Sequence, residues 1–110
     1  MDATQLLKGV LDLAVLAVLR GEDGYGYDVL RRLRAAGLEE VGDASVYGTL
    51  RRLFQAGYLT TYVVPSDEGP HRKYYALNAA GRDHLDRSAK AWRAFAATMD
   101  HLITERGVAA

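Results

Sequence analysis

The chain has 110 residues, the size of one compact domain, which leaves no room for a second independent fold. A hydrophobic content of 49% with 2 prolines is typical of an ordered globular chain, and the absence of cysteine excludes disulfides and thiolate chemistry. Because 14 basic residues balance 14 acidic residues, a surface that binds a polyanion has to be local. The apolar N-terminal stretch is too short to cross a bilayer and does not resemble an export signal, so we expect a cytoplasmic protein that does not bind membranes.

Hydrophobic spacing predicts three helices in the first half of the chain. The first covers about residues 4–20, and its apolar side chains surround nearly the whole helix, so we expect a second chain to cover part of it. The second covers about residues 25–36. The third covers about residues 43–56, with Asp43 as its N-cap. Each helix ends at a glycine-containing turn, which is a common C-terminal signal.

Residues 58–65 and residues 72–77 are rich in β-branched and aromatic side chains, which favour strands. The polar turn between them predicts an antiparallel hairpin. A final helix of about seven turns is predicted over residues 79–106. In order, these elements predict a mainly α fold with a β-hairpin wing. We therefore divide the chain into a winged helix-turn-helix DNA-binding domain at residues 1–78 and a long C-terminal dimerisation helix within residues 79–110.

The third helix has a polar side opposite a buried stripe of Val46, Leu50 and Leu53. On that side and beside it, the spacing places Ser45, Tyr47, Gly48, Thr49, Arg51 and Arg52. Arginine can bond guanine bidentately or bind phosphate, hydroxyls can bond either, and a glycine lets the backbone approach a groove wall. This side is therefore the predicted DNA-reading surface, and the alternative is an ordinary solvated helix face. Phe54, one turn beyond Leu50, is predicted to add to the core beneath the wing.

Two basic residues, Arg72 and Lys73, begin the second strand of the hairpin beside a Gly-Pro turn. A wing that carries such residues can reach phosphate or the minor groove of a duplex. The alternative is that Asp67 and Glu68 neutralise the basic pair across the turn, which would leave ordinary exposed charges.

The final helix, with Asn78 as its predicted N-cap, carries apolar side chains at spacings of four and three, which predicts a coiled-coil seam. We expect the apolar first helix of each chain to pack against the final helix of the other chain. The residues assigned to this homodimer interface are Leu6, Val10, Leu13, Leu85, Trp92, Met99 and Ile103.

Several short motifs together resemble those of PadR-type transcriptional regulators. They are Gly24-Tyr25-Gly26-Tyr27, Ala44-Ser45-Val46-Tyr47, Arg52-Leu53, the run Gly69-Pro70-His71-Arg72-Lys73-Tyr74-Tyr75-Ala76-Leu77, and Gly81. The resemblance spans residues 6–92, and the single final helix is similar to the smaller PadR subfamily. It implies a dimeric winged-helix repressor of a palindromic DNA operator that often answers to a small molecule. By the same likeness, the residues that contact DNA are Ser45, Tyr47, Thr49 and Arg52 from the third helix and Arg72 and Lys73 from the wing.

Two departures from the family pattern affect the third helix. Gly48 stands where the family often has proline, and Phe54 stands where it often has glutamate. The operator sequence therefore cannot be carried over from the resemblance.

Some small PadR-type repressors of multidrug pumps carry a tryptophan on the final helix that stacks on planar drugs between the protomers. Lys90-Ala91-Trp92 resembles that place. The small side chains of Ala89 and Ala96 leave room beside the indole ring, and Phe95 is its neighbour. The resemblance therefore implies a planar, apolar effector site at the dimer centre. The alternative is that Trp92 is a packing anchor covered by the partner chain.

The three histidines, His71, His84 and His101, lie far apart, and none has the spacing of a metal site or of a nucleophile-base pair. We therefore expect no enzymatic activity, no metal and no cofactor. The main alternative to a repressor is a winged-helix module that has lost DNA binding and pairs only with proteins. The balanced net charge keeps this alternative open, and a local cluster of basic side chains would favour DNA.

Overall fold

The structure, a computed structural model, describes residues 3–66 and 69–104. The helices are α1 (Ala3–Leu7), α2 (Leu11–Gly21), α3 (Gly26–Ala35), α4 (Asp43–Gln55) and α5 (Ala79–Thr104), and the strands are β1 (Gly24–Tyr25), β2 (Leu59–Val64) and β3 (Arg72–Leu77). This order confirms the predicted fold class, a mainly helical chain with an antiparallel wing and a long last helix. Residues 105–106, the predicted end of that helix, lie outside the described residues.

The N-terminal helix differs from the prediction, because it is divided between α1 and α2. Val10 has φ −130° and ψ 0°, outside the helical region, and its N–H donates to the carbonyl of Leu7 at 3.1 Å as in a turn. Gly9 next to it loses more conformational freedom in a helix than any other residue, which favours a break here. The single helix predicted over residues 4–20 is therefore wrong at this point.

The sheet has three strands in the order β1-β3-β2, rather than the two of a simple hairpin. The predicted hairpin is confirmed, with Leu59 opposite Leu77 at its base. The additional strand β1 pairs with β3 and places Tyr25 opposite Tyr74. Because Tyr25 is in extended conformation in this strand, α3 begins at Gly26, one residue later than predicted.

The start of α4 also corrects the prediction. The N-cap is Gly42, whose backbone is extended, and no side-chain hydrogen bond caps the helix. Asp43 is the first residue of the helix itself. Its carboxylate lies 3.4 Å from the guanidinium of Arg34 on α3. An acidic side chain in the first turn still interacts favourably with the helix dipole.

One core lies between α2, α3, α4, the base of the sheet and the first half of α5. Its fully buried side chains include Val15, Leu16, Val29, Leu30, Leu33, Val46, Leu50 and Leu85. The predicted stripe of α4 is confirmed. Phe54 is not part of it, because it lies off the stripe and is 42% exposed. Leu85, predicted for the dimer interface, is 1% exposed because its own chain already covers it, so that assignment is wrong.

The beginning of α5 is fixed to the rest of the chain. Asn78 is its N-cap as predicted, since Oδ1 accepts the N–H of Gly81 at 2.8 Å, and Nδ2 donates to the carbonyl of Gly57 at 2.9 Å. Gly81 lies so close to the carbonyl of Tyr58 that a β-carbon there would overlap it. The domain boundary after residue 78 stays a prediction.

Candidate nucleic-acid interface and apolar groove

The helix α4 presents a different side to solvent from the one that the sequence predicts. Thr49 is 4% exposed and faces the core together with Val46 and Leu50, so its predicted outward orientation is wrong. The buried stripe is wider by one residue than the strongly apolar positions indicate. A helix that packs against two neighbours buries such a broad stripe, and a threonine can fill the edge of it.

A cleft of about 420 Å³ between α4 and the N-terminal segment is lined by Ser45, Gly48 and Arg52, and by the almost completely buried Thr49. Ser45 and Arg52 are exposed, and Gly48 is half-buried. The opposite wall includes Lys8 and Asp12. The predicted DNA-reading residues therefore divide into two groups, one that borders this cleft and one that lies beside it.

The most pronounced polar contact in the cleft joins Arg52 of α4 to Asp12 of α2. Nη1 donates to Oδ2 at 2.7 Å and Nη2 donates to Oδ1 at 2.8 Å, a bidentate pair. These hydrogen bonds lower the pKa of Asp12 below its ordinary value of 3.8, against the opposing effect of partial burial, and the charge of His84 contributes to the lowering. The same pair raises the pKa of Arg52.

Tyr47 and Arg51 form the second group and are both exposed. Within the described residues Arg51 has no ion-pair partner, so its charge is not neutralised locally. The ring of Tyr47 lies against Gly26 at the start of α3, where a β-carbon would overlap Cε1 and Cδ1 of the ring. Because Gly26 has no side chain, the ring of Tyr47 can occupy this space.

The two basic residues of the wing lie over tyrosine rings. The guanidinium carbon of Arg72 is 4.7 Å from the ring centre of Tyr25, and Nζ of Lys73 is 5.7 Å from that of Tyr75. Such cation–π contacts orient a cation without neutralising its charge. Asp67 and Glu68, the predicted neutralising partners, lie outside the described residues.

A larger apolar groove of about 1000 Å³ lies between the N-terminal segment and α5. Its apolar lining includes Leu6, Val10, Leu13, Trp92, Phe95, Ala96, Met99 and Ile103. The predicted interface residues of the first helix therefore meet those of the last helix in one chain, rather than only across two chains. Ala89, predicted for the effector site, is not among the lining residues, and Ala91 takes part instead. The rings of Trp92 and Phe95 are 6.5 Å apart and tilted by 42°.

The groove also contains polar residues that the sequence reasoning missed. Asp12 lies on its N-terminal side, and His84 and Asp100 lie on α5, each two turns from Trp92. That helical spacing was a usable signal for His84 and Asp100. His84 also stacks on Tyr58, with ring centres 4.1 Å apart. Among residues 3–66 and 69–104, no group of three metal-ligating side chains is close enough to hold an ion.

The same described ranges contain no helix that is both long and apolar enough to cross a membrane.

Comparisons with known proteins agree with this architecture. Residues 15–87 match the model of the transcriptional regulator PadR-like family. A PadR-like transcriptional regulator from Bacillus cereus is 29% identical, with a TM-score of 0.82 over 93% of this chain and 99% of that one. A PadR-like transcription factor from Bacteroides fragilis is 31% identical, with a TM-score of 0.75 over 90% and 95% of the two chains. A PadR family regulator from Eggerthella lenta is 26% identical, with a TM-score of 0.84 over 94% and 89%.

Proposed function

This chain belongs to the PadR-like family of transcriptional regulators, and on that premise we propose that it is a repressor that binds a palindromic operator in double-stranded DNA as a homodimer. The proposed place of action is the cytoplasm, the compartment in which the operator DNA of a bacterial chromosome is accessible. Each protomer contributes α4 to a major groove and its wing to the adjacent phosphates or minor groove.

The observation that carries the proposal is the contact of α4 and the wing with one short segment. Arg72 of the wing lies over Tyr25, and the next residue, Gly26, holds Tyr47 of α4. Exposed DNA-binding candidates from two elements thereby contact two consecutive residues of the chain. Arg51 follows Tyr47 by about one helical turn and adds a positive charge that has no ion-pair partner in the part of the chain that the structure describes.

The roles within this surface follow from exposure and charge. We assign base contacts to Arg51 and Tyr47, with Gly48 allowing close approach of the helix backbone. Arg72 and Lys73 contact phosphate from the wing. The remaining proposed contacts are Ser45 and Arg52 at the cleft. Thr49, being buried, supports the position of α4 and does not touch DNA.

The DNA-binding proposal is tested by electrophoretic mobility shift on the chain's own promoter region, with salt titrated. Arg51→Gln should weaken operator binding by about 1–3 kcal/mol and reduce sequence discrimination, as loss of a base contact does. Lys73→Gln should weaken binding to all sequences and flatten the salt dependence by about 0.9 in logarithmic slope for each lost phosphate contact.

The matched control is Lys90→Gln, which removes the same charge from an exposed position of α5. If wild-type protein binds no duplex, a protein-interaction module is the better description. If Lys90→Gln weakens binding as much as Arg51→Gln, the assignment of the DNA contact to α4 fails.

The homodimer is supported by the far half of α5. Phe95, Leu102 and Ile103 are exposed in the single chain, and Ile103 reaches 75% exposure. Leu6 on the opposite wall of the groove is also exposed. A contiguous apolar surface of this kind is typical of a protein interface. We propose that the second protomer covers it.

We propose that the groove binds a planar, apolar effector that rests on Trp92 and controls release from DNA. The apolar walls offer stacking surface, and Asp100 adds negative charge, which favours a compound that also carries a positive charge. The predicted contacts that line the groove are Trp92, Phe95 and Ala96.

Fluorescence tests the effector proposal, because Trp92 is the only tryptophan of the chain. Planar cationic dyes should quench its emission and alter operator binding over the same concentration range. Phe95→Ala should weaken this quenching, whereas Phe54→Ala, at an exposed position of α4 that does not line the groove, should leave it unchanged. Equal effects of the two variants, or no quenching by a broad set of dyes, would leave Trp92 as interface packing.

A further inference from the structure

We infer that Asp12 is a positioning residue that competes with DNA for Arg52, so that the chain's own carboxylate determines how much positive charge α4 presents to phosphate. The inference rests on the proposed DNA-binding function. It concerns two neighbouring arginines of one helix, of which Arg51 has no ion-pair partner among the described residues and Arg52 is held by α2.

The geometry of the pair makes the competition specific. Both terminal nitrogens of Arg52 donate to Asp12, at 2.7 and 2.8 Å, so the end of the guanidinium formed by Nη1 and Nη2, one of the two that could bind guanine or phosphate bidentately, is occupied. The two residues are 40 positions apart in the chain, and the contact joins two packed helices. Arg52 therefore has to leave Asp12 before it can use that end on DNA.

The exchange is feasible because the pair is open to solvent. The side chains are 59% exposed for Arg52 and 43% exposed for Asp12. Ion pairs at such positions contribute little stability, since water and salt screen them. A phosphate of the duplex can therefore replace the carboxylate, but the lost contact subtracts from the binding that Arg52 would otherwise add.

Asp12 also connects this pair to the apolar groove. Among the described residues it is the one side chain that lines both the cleft beside α4 and the groove beside Trp92. His84, which also lines the groove, acts electrostatically on the same carboxylate and helps to lower its pKa. A change in the groove that shifts or neutralises Asp12 therefore changes the charge that Arg52 offers to DNA.

The experiment is a double-mutant cycle on binding to a fluorescein-labelled duplex of mixed sequence, measured by anisotropy over a range of salt concentrations. Asp12→Asn keeps the shape of the side chain and removes its charge. It should tighten binding about two- to fivefold for each protomer, which corresponds to the strength of an exposed ion pair. It should also steepen the logarithmic salt dependence by about 0.9 for each phosphate that Arg52 then contacts.

The cycle separates this effect from a general gain in positive charge. In an Arg52→Gln background, Asp12→Asn should give no further gain. Asp43→Asn is the matched control, because its carboxylate pairs with Arg34 and not with Arg52. Its effect on DNA binding should be the same with and without Arg52. An equal gain from Asp12→Asn in both backgrounds, or no gain at all, would overturn the inference.

A second variant approaches the pair from its other side. Arg52→Lys keeps the charge but cannot make the bidentate contact. Its salt dependence should move towards that of Asp12→Asn, and no change would count against competition by Asp12. Thermal melting of each variant in the same buffer shows that the compared proteins are folded.

Failure of this inference and failure of the proposed function give different results. If wild-type protein does not bind the duplex, or if Lys73→Gln leaves binding unchanged, the proposed function fails and the inference with it. If Lys73→Gln weakens binding while the cycle between Asp12 and Arg52 shows no coupling, only the inference fails.

Discussion

At the scale of single residues, Gly26 and Gly48 have opposite effects on the stability of the region around α4. Gly26 begins α3 and leaves the space that the ring of Tyr47 fills. Gly48 lies inside α4, and no atom outside the local helix backbone lies within 4 Å of where its β-carbon would be. The first glycine is required by packing, and the second lowers helix stability without a steric reason in this chain.

Alanine substitutions should therefore change stability in opposite directions. Gly26→Ala should lower the free energy of unfolding by about 1–3 kcal/mol, because the new methyl group displaces Tyr47 or strains α3. Gly48→Ala should raise it by about 0.5–1 kcal/mol, because alanine favours a helix interior. Urea denaturation followed by circular dichroism measures both. Equal effects of the two variants would contradict the packing role of Gly26.

The pair of Asp12 and Arg52 should also make stability depend on pH. The pKa of Asp12 is lower in the folded chain than its ordinary value of 3.8, so the folded state favours the ionised form. Its contribution is complete above the unfolded pKa and is lost as pH falls through the folded pKa. The stability difference between wild type and Asp12→Asn should therefore be constant above about pH 5 and shrink at lower pH. Urea denaturation in a pH series tests this, and Arg52→Gln should abolish the trend.

At the scale of elements, the sequence predicted the presence of the helices and the hairpin better than the residues at which they begin and end, or which of their side chains are buried. Long apolar repeats indicate a helix clearly, and Val46, Leu50 and Leu53 did identify the buried side of α4. They did not show that the stripe extends to Thr49, because a threonine is equally acceptable in solvent or at the edge of a core. The two-residue strand β1 is too short for any periodicity, and only its pairing with β3 defines it.

The sequence did predict Asn78 as the N-cap at the junction before α5. Asn78 accepts the N–H of Gly81 and donates to the carbonyl of Gly57, so it caps one helix and ties it to the turn after α4. Asn78→Ala should therefore cost about 1–2 kcal/mol of unfolding free energy. Asn78→Asp keeps the cap acceptor and loses the donor, so we expect an intermediate loss. Thermal unfolding of the three proteins gives the order, and an alanine variant as stable as wild type would contradict the capping role.

At the scale of the whole molecule, α5 has a core half and an interface half. Leu85→Ala should lower the free energy of unfolding by about 2–5 kcal/mol, because it leaves a cavity in the core of the single chain. Ile103→Asp places a charge on the exposed far half and should dissociate the proposed dimer while the helical circular dichroism signal is retained. Light scattering coupled to size exclusion measures the mass. A stable dimer in Ile103→Asp would place the interface elsewhere.

The groove shows which part of the candidate site could not be predicted. The sequence identified most of its apolar residues, including Leu6, Val10 and Trp92, from their helical spacing. It could not show that the two helices of the same chain meet, because hydrophobic patterning gives no distinction between a partner element in the same chain and one in a second chain. It also missed Asp12, which lies in the first turn of α2, just after the break from α1.

The length of α5 has a mechanical consequence. Its first turns are held by Asn78 and Leu85, whereas its far end at Ile103 is exposed. With a rise of about 1.5 Å per residue, roughly 27 Å of helix separate Leu85 from Ile103, so a tilt of about 10° moves the far end by roughly 5 Å. The half-sites of a palindrome are about 34 Å apart, one turn of the duplex. In the proposed dimer, a small rotation of α5 beside the groove is thus amplified along the length of the helix. Such a rotation is enough to change the spacing of the two α4 helices, so that they no longer match the two half-sites of the operator.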